Sequence, residues 1–104
     1  MAEHIEVQVT CDDGAEADRI ADHLVEQRLA ACVQQVPIRS TYRWQGAVER
    51  DDEVLLLVKT RRALVDQVEA VVADLHSYDL PAVTAVDIVG GSAEYLAWID
   101  AETS

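Results

Sequence analysis

The sequence predicts an α+β fold with the element order β-α-β-β-α-β and a short helix at the C-terminal end. Three observations lead to this order: two segments repeat their apolar residues at helical spacing, two long β-rich segments flank a turn signal, and shorter β-rich segments lie near either end of the chain. The 104 residues contain no linker, repeat or low-complexity stretch, so we expect a single domain over 1–104.

The first strand and the first helix are predicted from the spacing of apolar residues. Residues 5–9 alternate between apolar and polar side chains, which is the period of a strand. Asp13 is followed three positions later by Glu16, a pattern typical of the residues that cap the start of a helix. Apolar residues then recur at helical spacing to about Leu29.

The second and third strands are expected to form a long hairpin. Residues 32–45 and 47–59 are rich in β-formers, and Gln45-Gly46 between them is a turn signal. Pro37 has no backbone N–H to donate, so the second strand is expected at an edge of the sheet or to be bulged there. Each strand is longer than the usual five to six residues or so.

The last part of the chain contains a helix, a strand and a short helix. Thr60 can cap a helix whose apolar stripe runs over 64–75, and Pro81 follows the connection after it. Residues 82–89 predict the fourth strand and 93–101 the final helix. The complete order is the ferredoxin-like βαββαβ pattern, in which both main helices lie on one face of the sheet.

The third strand is apolar at five consecutive positions, 54–58. Such a run is typical of a strand that is buried on both faces, yet two helices cover only one face. A second copy of the same sheet face is the expected cover, so we expect a homo-oligomer. The alternative is a monomer with an exposed aliphatic patch, which is an aggregation risk for a soluble protein.

Charge and composition exclude several classes of function. Asp and Glu number 20 against 8 Lys and Arg, for a formal net charge of −12 at pH 7. Such a chain repels phosphate backbones and anionic lipids, so we expect neither a nucleic-acid nor a membrane partner. No apolar run approaches the roughly 20 residues of a membrane span, and the N-terminus resembles no secretory signal. A cytoplasmic location with free thiols is expected.

The two cysteines are expected to lie at opposite ends of the sheet. Cys11 ends the first strand, whereas Cys32 begins the second after a helix that returns along the sheet. We expect a separation of roughly 15–20 Å, too far for a disulfide within one chain. Cys32 follows two alanines and is expected to be a buried structural thiol. Cys11 is expected to be accessible to reagents.

A candidate metal site lies at the end of the sheet that carries Cys11. The second helix runs towards this end, which places His76 and Asp79 near Cys11 and Asp12. A thiolate with an imidazole suits copper or zinc, and carboxylates are weaker additional ligands. The alternative is that His76 only complements the dipole at the C-terminal end of its helix.

A second candidate site is a pocket between subunits. Tyr42, Trp44, Tyr78 and Lys59, the single lysine, lie where the projecting hairpin is expected to reach a neighbouring subunit. Aromatic residues with one polar end suit such contacts. The alternative is that these residues only pack the interface.

Five motifs in this order resemble the CutA divalent-ion tolerance family. They are Leu-Ala-Ala-Cys at 29–32, Tyr-x-Trp-x-Gly at 42–46, Val-Leu-Leu-Leu-Val-Lys-Thr at 54–60, His-x-Tyr-x-x-Pro at 76–81 and Tyr-Leu-x-Trp at 95–98. The resemblance implies a ferredoxin-like homotrimer similar in architecture to PII signalling proteins, and a link to divalent metals, copper especially. Two positions depart from the family pattern: Ser77 replaces a proline, and Ala82 replaces a frequent glutamate.

The resemblance implies a non-enzymatic trimer associated with tolerance or binding of a divalent metal ion, with copper as the expected ion. The alternative is a PII-like sensor that binds a metabolite or anion between subunits near Lys59. An acylphosphatase-like hydrolase is disfavoured because residues 11–14 lack a basic phosphate-binding loop. The sequence also lacks G-x-S-x-G, Walker, G-x-G-x-x-G and H-E-x-x-H motifs, so no enzymatic activity is expected.

Overall fold

The computed structural model describes residues 2–104 and contains the predicted elements in the predicted order. A single 3₁₀ turn, Arg62–Leu64, precedes the second α-helix. The elements are β1 His4–Cys11, α1 Gly14–Glu26, β2 Cys32–Trp44, β3 Ala47–Arg61, α2 Val65–Leu75, β4 Val83–Asp87 and α3 Ala93–Glu102.

The four strands form one antiparallel sheet in the order β2-β3-β1-β4. Alternate residues of β1 and β3 point into a core that is closed by α1 and α2. The ferredoxin-like α+β prediction is therefore confirmed. No helix within residues 2–104 is both long enough and apolar enough to cross a membrane.

The apolar run of β3 divides between the two faces of the sheet. Leu56 and Val58 point into the core and are fully buried, and they pair with Val9 and Val7 of β1. Leu55 and Leu57 point to the opposite face, which we call the outer face. Both side chains are only partly buried on this face in the single chain.

The β2–β3 hairpin projects beyond the rest of the sheet. The two strands pair from Cys32↔Lys59 to Trp44↔Ala47, but β1 pairs with β3 only as far as Val54. The distal halves of β2 and β3 are therefore a free two-stranded ribbon. Gln45 and Gly46 close the ribbon with φ angles of 49° and 84°, as a tight hairpin turn with two left-handed residues requires.

The segment around Thr60 differs from the sequence prediction. Thr60 does not cap a helix: β3 continues to Arg61, and α2 begins only at Val65. The Thr60 side chain is buried, and its hydroxyl donates a hydrogen bond of 2.7 Å to the carbonyl of Leu29. Thr60 pairs with Ile5 of β1 and fills the core beside it, which keeps this residue in the strand.

Helix α3 packs on the outer face, at the end of the sheet where β1 begins. Ile99 is fully buried there, and the guanidinium of Arg61 donates hydrogen bonds of 2.8 and 2.6 Å to Thr103. His4 also contacts Asp100, with 2.9 Å between Nε2 and Oδ1. The opposite end of the outer face, near Cys11 and the ribbon, is not covered by this helix.

The core face of β3 is expected to determine the stability of the chain. Leu56→Ala removes a fully buried side chain and should lower the free energy of unfolding by about 2–5 kcal/mol. Val89→Ala, at a position that is 96% exposed, should change it by less than about 0.5 kcal/mol. Urea denaturation of both variants measures the difference, and equal losses would contradict this assignment of the core.

Candidate metal centre

Three elements bring one side chain each to the same end of the core. Cys11 is the last residue of β1 and points inward because it continues the alternation of that strand. Glu16 lies in the first turn of α1, where the Asp13 carboxylate accepts a 2.9 Å hydrogen bond from the Glu16 N–H and so caps the helix. His76 follows α2, where the chain turns into an extended conformation.

The Glu16 carboxylate joins two connections of the fold. It accepts hydrogen bonds from the backbone N–H of Asp12 at 2.8 Å and of Ser77 at 2.5 Å, and the residue is only 2% exposed. Desolvation by itself raises the pKa of Glu16, but the hydrogen bonds from Asp12 and Ser77 outweigh it. The net pKa is therefore lowered from 4.5.

The hydrogen bonds of the His76 ring assign its neutral tautomer. Nε2 lies 2.7 Å from the carbonyl oxygen of Thr10, which only accepts, so Nε2 carries the proton. Nδ1 accepts a 3.1 Å hydrogen bond from the Tyr78 N–H and lies 3.6 Å from Oε1 of Glu16. The ring is fully buried, and Nδ1 holds the lone pair that faces the cluster.

The thiol of Cys11 is protonated at neutral pH. Burial raises its pKa to about 12, and the nearby carboxylates of Glu16, Asp13 and Glu53 add to the increase. A metal ion at this thiol must therefore displace a proton, which makes binding weaker as the pH falls.

Cys11, Glu16 and His76 have the donor set of a metal site. One ligand atom from each lies within 4.8 Å of the other two. Sulfur with imidazole nitrogen suits copper or zinc, and three protein ligands leave one coordination position open. The residues therefore fit such an ion, provided that it replaces the Tyr78 N–H at Nδ1 and the Ser77 N–H at Glu16.

The structure brings only part of the predicted metal set together. Cys11 and His76 meet as expected, but Asp12 and Asp79 are exposed and lie outside the cluster, and Glu16 takes the carboxylate position. Sequence reasoning assigned Glu16 to capping alone. Its position in the sequence could have identified Glu16 as a ligand. Because α1 begins just after Cys11, the third residue of this helix lies close to the end of β1.

The burial of the two cysteines is the reverse of the expectation. Cys11 is fully buried, so the prediction of an accessible thiol is wrong. Cys32, predicted to be buried, is only partly buried in the single chain. The reason is face parity: Cys11 lies on the core face, whereas Cys32 pairs with Lys59 on the outer face. The two do lie at opposite ends of the sheet, about 17 Å apart along β3, by its rise per residue.

A cavity of about 570 Å³ lies on the outer face at the base of the ribbon, and we call it the hairpin cavity. It contains Tyr42, Trp44 and Tyr78, three of the four residues predicted to line a pocket. Lys59 lies towards the other end of β3 and forms an ion pair with Glu6. The full lining is Thr10, Ser40, Tyr42, Trp44, Glu53, Ser77, Tyr78, Asp79, Leu80 and Ala82.

The charges of the hairpin cavity are negative. Glu53 and Asp79 line it, and no Lys, Arg or His of residues 2–104 does. The Tyr78 hydroxyl donates a 2.7 Å hydrogen bond to Glu53, and the Tyr42 hydroxyl donates to Asp51. This arrangement does not favour the alternative of an anion sensor, because nothing in the described lining neutralises an anion.

Comparisons with known proteins point to one family. The family model of the CutA1 divalent ion tolerance protein matches residues 5–102. The divalent-cation tolerance protein CutA of Thermus thermophilus is 45% identical over 98 residues, or 93% of this chain and 95% of that protein. The chloroplastic CutA of Arabidopsis thaliana is 42% identical over 100 residues, or 95% of this chain but only 55% of that protein. The chain thus spans about half the length of that relative.

Solved structures agree with these sequence matches. The periplasmic divalent cation tolerance protein CutA from Archaeoglobus fulgidus has a TM-score of 0.95 at 39% sequence identity. The match covers 97% of this chain and 99% of that one. At this identity the similarity extends beyond the fold to the sequence that builds it.

The carboxylate of Glu16 should make stability depend on pH in a defined direction. Because its folded-state pKa lies below 4.5, its contribution is complete above about pH 4.5 and is lost as the pH falls through the folded-state value. Glu16→Gln should therefore lower the free energy of unfolding by about 1–3 kcal/mol at pH 7, with a smaller difference from wild type below pH 4.5.

The matched control for this experiment is Glu26→Gln, an exposed position in the last turn of the same helix. Urea denaturation at several pH values gives the profile of each variant. A constant difference between Glu16→Gln and wild type across the acidic range would contradict the role assigned to the carboxylate.

Proposed function

This chain belongs to the CutA1 divalent ion tolerance family, and we propose on that premise that it contributes to metal tolerance by binding a divalent or copper ion rather than by catalysing a reaction. The observation that carries the proposal is the convergence of Cys11, Glu16 and His76, which offer sulfur, oxygen and nitrogen within 4.8 Å. Copper is the proposed ion because a thiolate and an imidazole together prefer it over hard cations.

Binding at this cluster uses groups that the fold already orients. His76 is fixed by its Nε2–H bond to the Thr10 carbonyl, which leaves Nδ1 as the ligand atom. Cys11 releases its proton when the ion binds. Glu16 would hold the ion through the oxygen that accepts the Ser77 N–H, and the Asp12 N–H would keep the carboxylate in place through the other oxygen.

Ser77 tunes this site against binding. Its N–H competes with an ion for Glu16, and a proline at this position, as in the family pattern, has no N–H to compete. The residue before position 77 is compatible with that proline, since His76 has φ −80° and ψ 142°, the extended region that a residue before proline requires.

We also propose that the protein is a homotrimer. The outer face carries half-buried Leu55 and Leu57 beside exposed Val36 and Val86, so one chain leaves an apolar surface in the middle of its sheet. The ribbon projects beyond that sheet and is long enough to reach a neighbouring subunit. Two further copies cover both features, as the resemblance to trimeric PII-like folds implies.

A cytoplasmic location remains part of the proposal. Its support is the presence of two free cysteines, which is typical of reducing compartments. The compared relatives differ in this respect, since the Arabidopsis protein is named chloroplastic and the Archaeoglobus protein periplasmic.

Metal binding should depend on the thiol of Cys11, which is buried in the core, and not on the thiol of Cys32. Titration with Cu⁺ under anaerobic conditions, or with Zn²⁺, against a chromophoric chelator in about 0.5 M NaCl should give one ion per chain, since this salt screens diffuse attraction to the acidic surface. Cys11→Ala should weaken binding at least about tenfold, and Ser77→Pro should strengthen it.

Cys32→Ser is the matched control and should bind as wild type does. Thermal melting of each variant confirms that it is folded before titration. Wild-type affinity in folded Cys11→Ala would place the ion elsewhere and contradict the assigned site.

The assembly prediction concerns mass. Sedimentation equilibrium should give about 35 kDa, three times the 11.5 kDa of one chain. Leu57→Asp on the outer face should dissociate the assembly, because it places a charge in an apolar interface. Val89→Asp, at a position that is 96% exposed, should leave the mass unchanged. A wild-type mass near that of one chain at micromolar concentration would refute the trimer.

A further inference from the structure

Tyr78 is bonded at both of its ends, to the metal cluster and to the ribbon. Its backbone N–H donates a 3.1 Å hydrogen bond to Nδ1 of His76. Its hydroxyl donates a 2.7 Å hydrogen bond to Oε2 of Glu53, whereas Oδ1 of Asp12 is farther away, at 3.4 Å. We propose that Tyr78 transmits ion binding at the cluster to the base of the ribbon, because the ion must break the first of these bonds. The proposal rests on the proposed function, and one variant tests it without an ion.

The lone pair of Nδ1 cannot serve the Tyr78 N–H and an ion at the same time. Nε2 of His76 carries the proton that is donated to the carbonyl of Thr10, so Nδ1 is the nitrogen of this ring that can bind an ion. The Ser77 N–H loses its acceptor in the same way when the ion takes Oε1 of Glu16. One binding event therefore releases two consecutive backbone donors.

The segment that is released lies against the base of the ribbon. Glu53 is the residue of β3 at which the ribbon starts, since β1 pairs with β3 only as far as Val54. Tyr78 and Glu53 both line the hairpin cavity, together with Trp44 from the far end of β2. A tyrosine side chain has only two rotatable χ angles, so a shift of its backbone moves the hydroxyl as well. Loss of the bond to Nδ1 therefore separates the hydroxyl from Glu53 and frees the base of the ribbon.

Every contact in this connection lies within one chain. Glu53 is only 7% exposed in the single chain, and its bond to Tyr78 involves no second copy, so the connection does not depend on what covers the outer face. Because ion binding and the Tyr78–Glu53 bond oppose each other, each weakens the other by the same factor. The ion therefore loosens the ribbon, and any contact that holds Tyr78 against Glu53 weakens ion binding.

The first test is the sign of a change in affinity. Tyr78→Phe removes the hydroxyl bond from the ion-free state, so the Zn²⁺ affinity of the assembled protein, measured against a chromophoric chelator in about 0.5 M NaCl, should rise about tenfold. A residue that only supported the shape of the site would lower the affinity when truncated. In a Glu53→Gln background the acceptor has no charge, and Tyr78→Phe should raise the affinity by less than about threefold. Tyr95→Phe on α3 is the matched control and should bind as wild type does.

The second test observes the ribbon itself. In a Trp98→Phe background, Trp44 is the one remaining tryptophan, and its emission should change along the same isotherm as Zn²⁺ binding, since this d¹⁰ ion undergoes no redox reaction. Amide hydrogen exchange over 38–53 should become at least about threefold faster when Zn²⁺ binds. Tyr78→Phe should abolish both responses.

His76→Gln tests the connection without an ion. The glutamine amide can keep the hydrogen bond to the carbonyl of Thr10 but places no acceptor at the position of Nδ1, so the Tyr78 N–H is released. The metal-free variant should change the Trp44 emission in the same direction as Zn²⁺ does in wild type, and added Tyr78→Phe should remove that change. Thermal melting confirms that each variant is folded.

Two results would overturn the proposal and leave the proposed function intact. One is Zn²⁺ binding that depends on Cys11 but leaves Trp44 emission and ribbon exchange unchanged, and the other is a folded Tyr78→Phe variant that binds Zn²⁺ no more tightly than wild type. If Cys11→Ala does not alter Zn²⁺ affinity, the ion site is refuted instead. The response of metal-free His76→Gln then decides by itself whether Tyr78 connects the cluster to the ribbon.

Discussion

The buried carboxylate of Glu16 is the constraint on which this end of the molecule depends. It receives one backbone N–H from Asp12, after β1, and another from Ser77, after α2, which is 61 positions from Glu16 in the chain. Neither segment has a partner in the sheet at that point. The same carboxylate therefore fixes where Cys11 and His76 meet on the core side.

The arrangement also places the residues on the other side of the sheet. The Ser77 N–H is bound to Glu16 and the Tyr78 N–H to the His76 ring, and these bonds direct the Tyr78 side chain over the end of β1. The Tyr78 hydroxyl then reaches Glu53 on the outer face. One turn of chain thus contributes to a core cluster and to a surface cavity, and a change at Ser77 affects both.

The sequence predicted the elements and their order because period and turn chemistry are local properties. Alternation defines β1, and Gln45-Gly46 defines the hairpin turn with no knowledge of the rest of the chain. The prediction from the sequence failed at Thr60, because burial and a hydrogen bond to the carbonyl of Leu29 keep this good capping residue in the strand. A tertiary contact outweighs local propensity at this position.

The candidate site was only half predictable for the same reason. The meeting of Cys11 and His76 follows from topology, whereas their burial follows from which face each residue occupies. A shift of one residue in a strand reverses that face, so an error of one position exchanges an accessible thiol for an inaccessible one. Lys59 likewise finds Glu6 on the neighbouring strand, and strand register cannot be inferred from composition.

The position of β1 in the sheet has a consequence for the order in which the protein is synthesised. This strand is made first, but it lies between β3 and β4, and its Ile5 pairs with Thr60 on one side and Asp87 on the other. Both partners leave the ribosome much later, whereas β2 and β3 pair with each other as soon as they are made. The apolar face of β1 therefore has no sheet partner until most of the chain has been made, and during that interval it is exposed to aggregation.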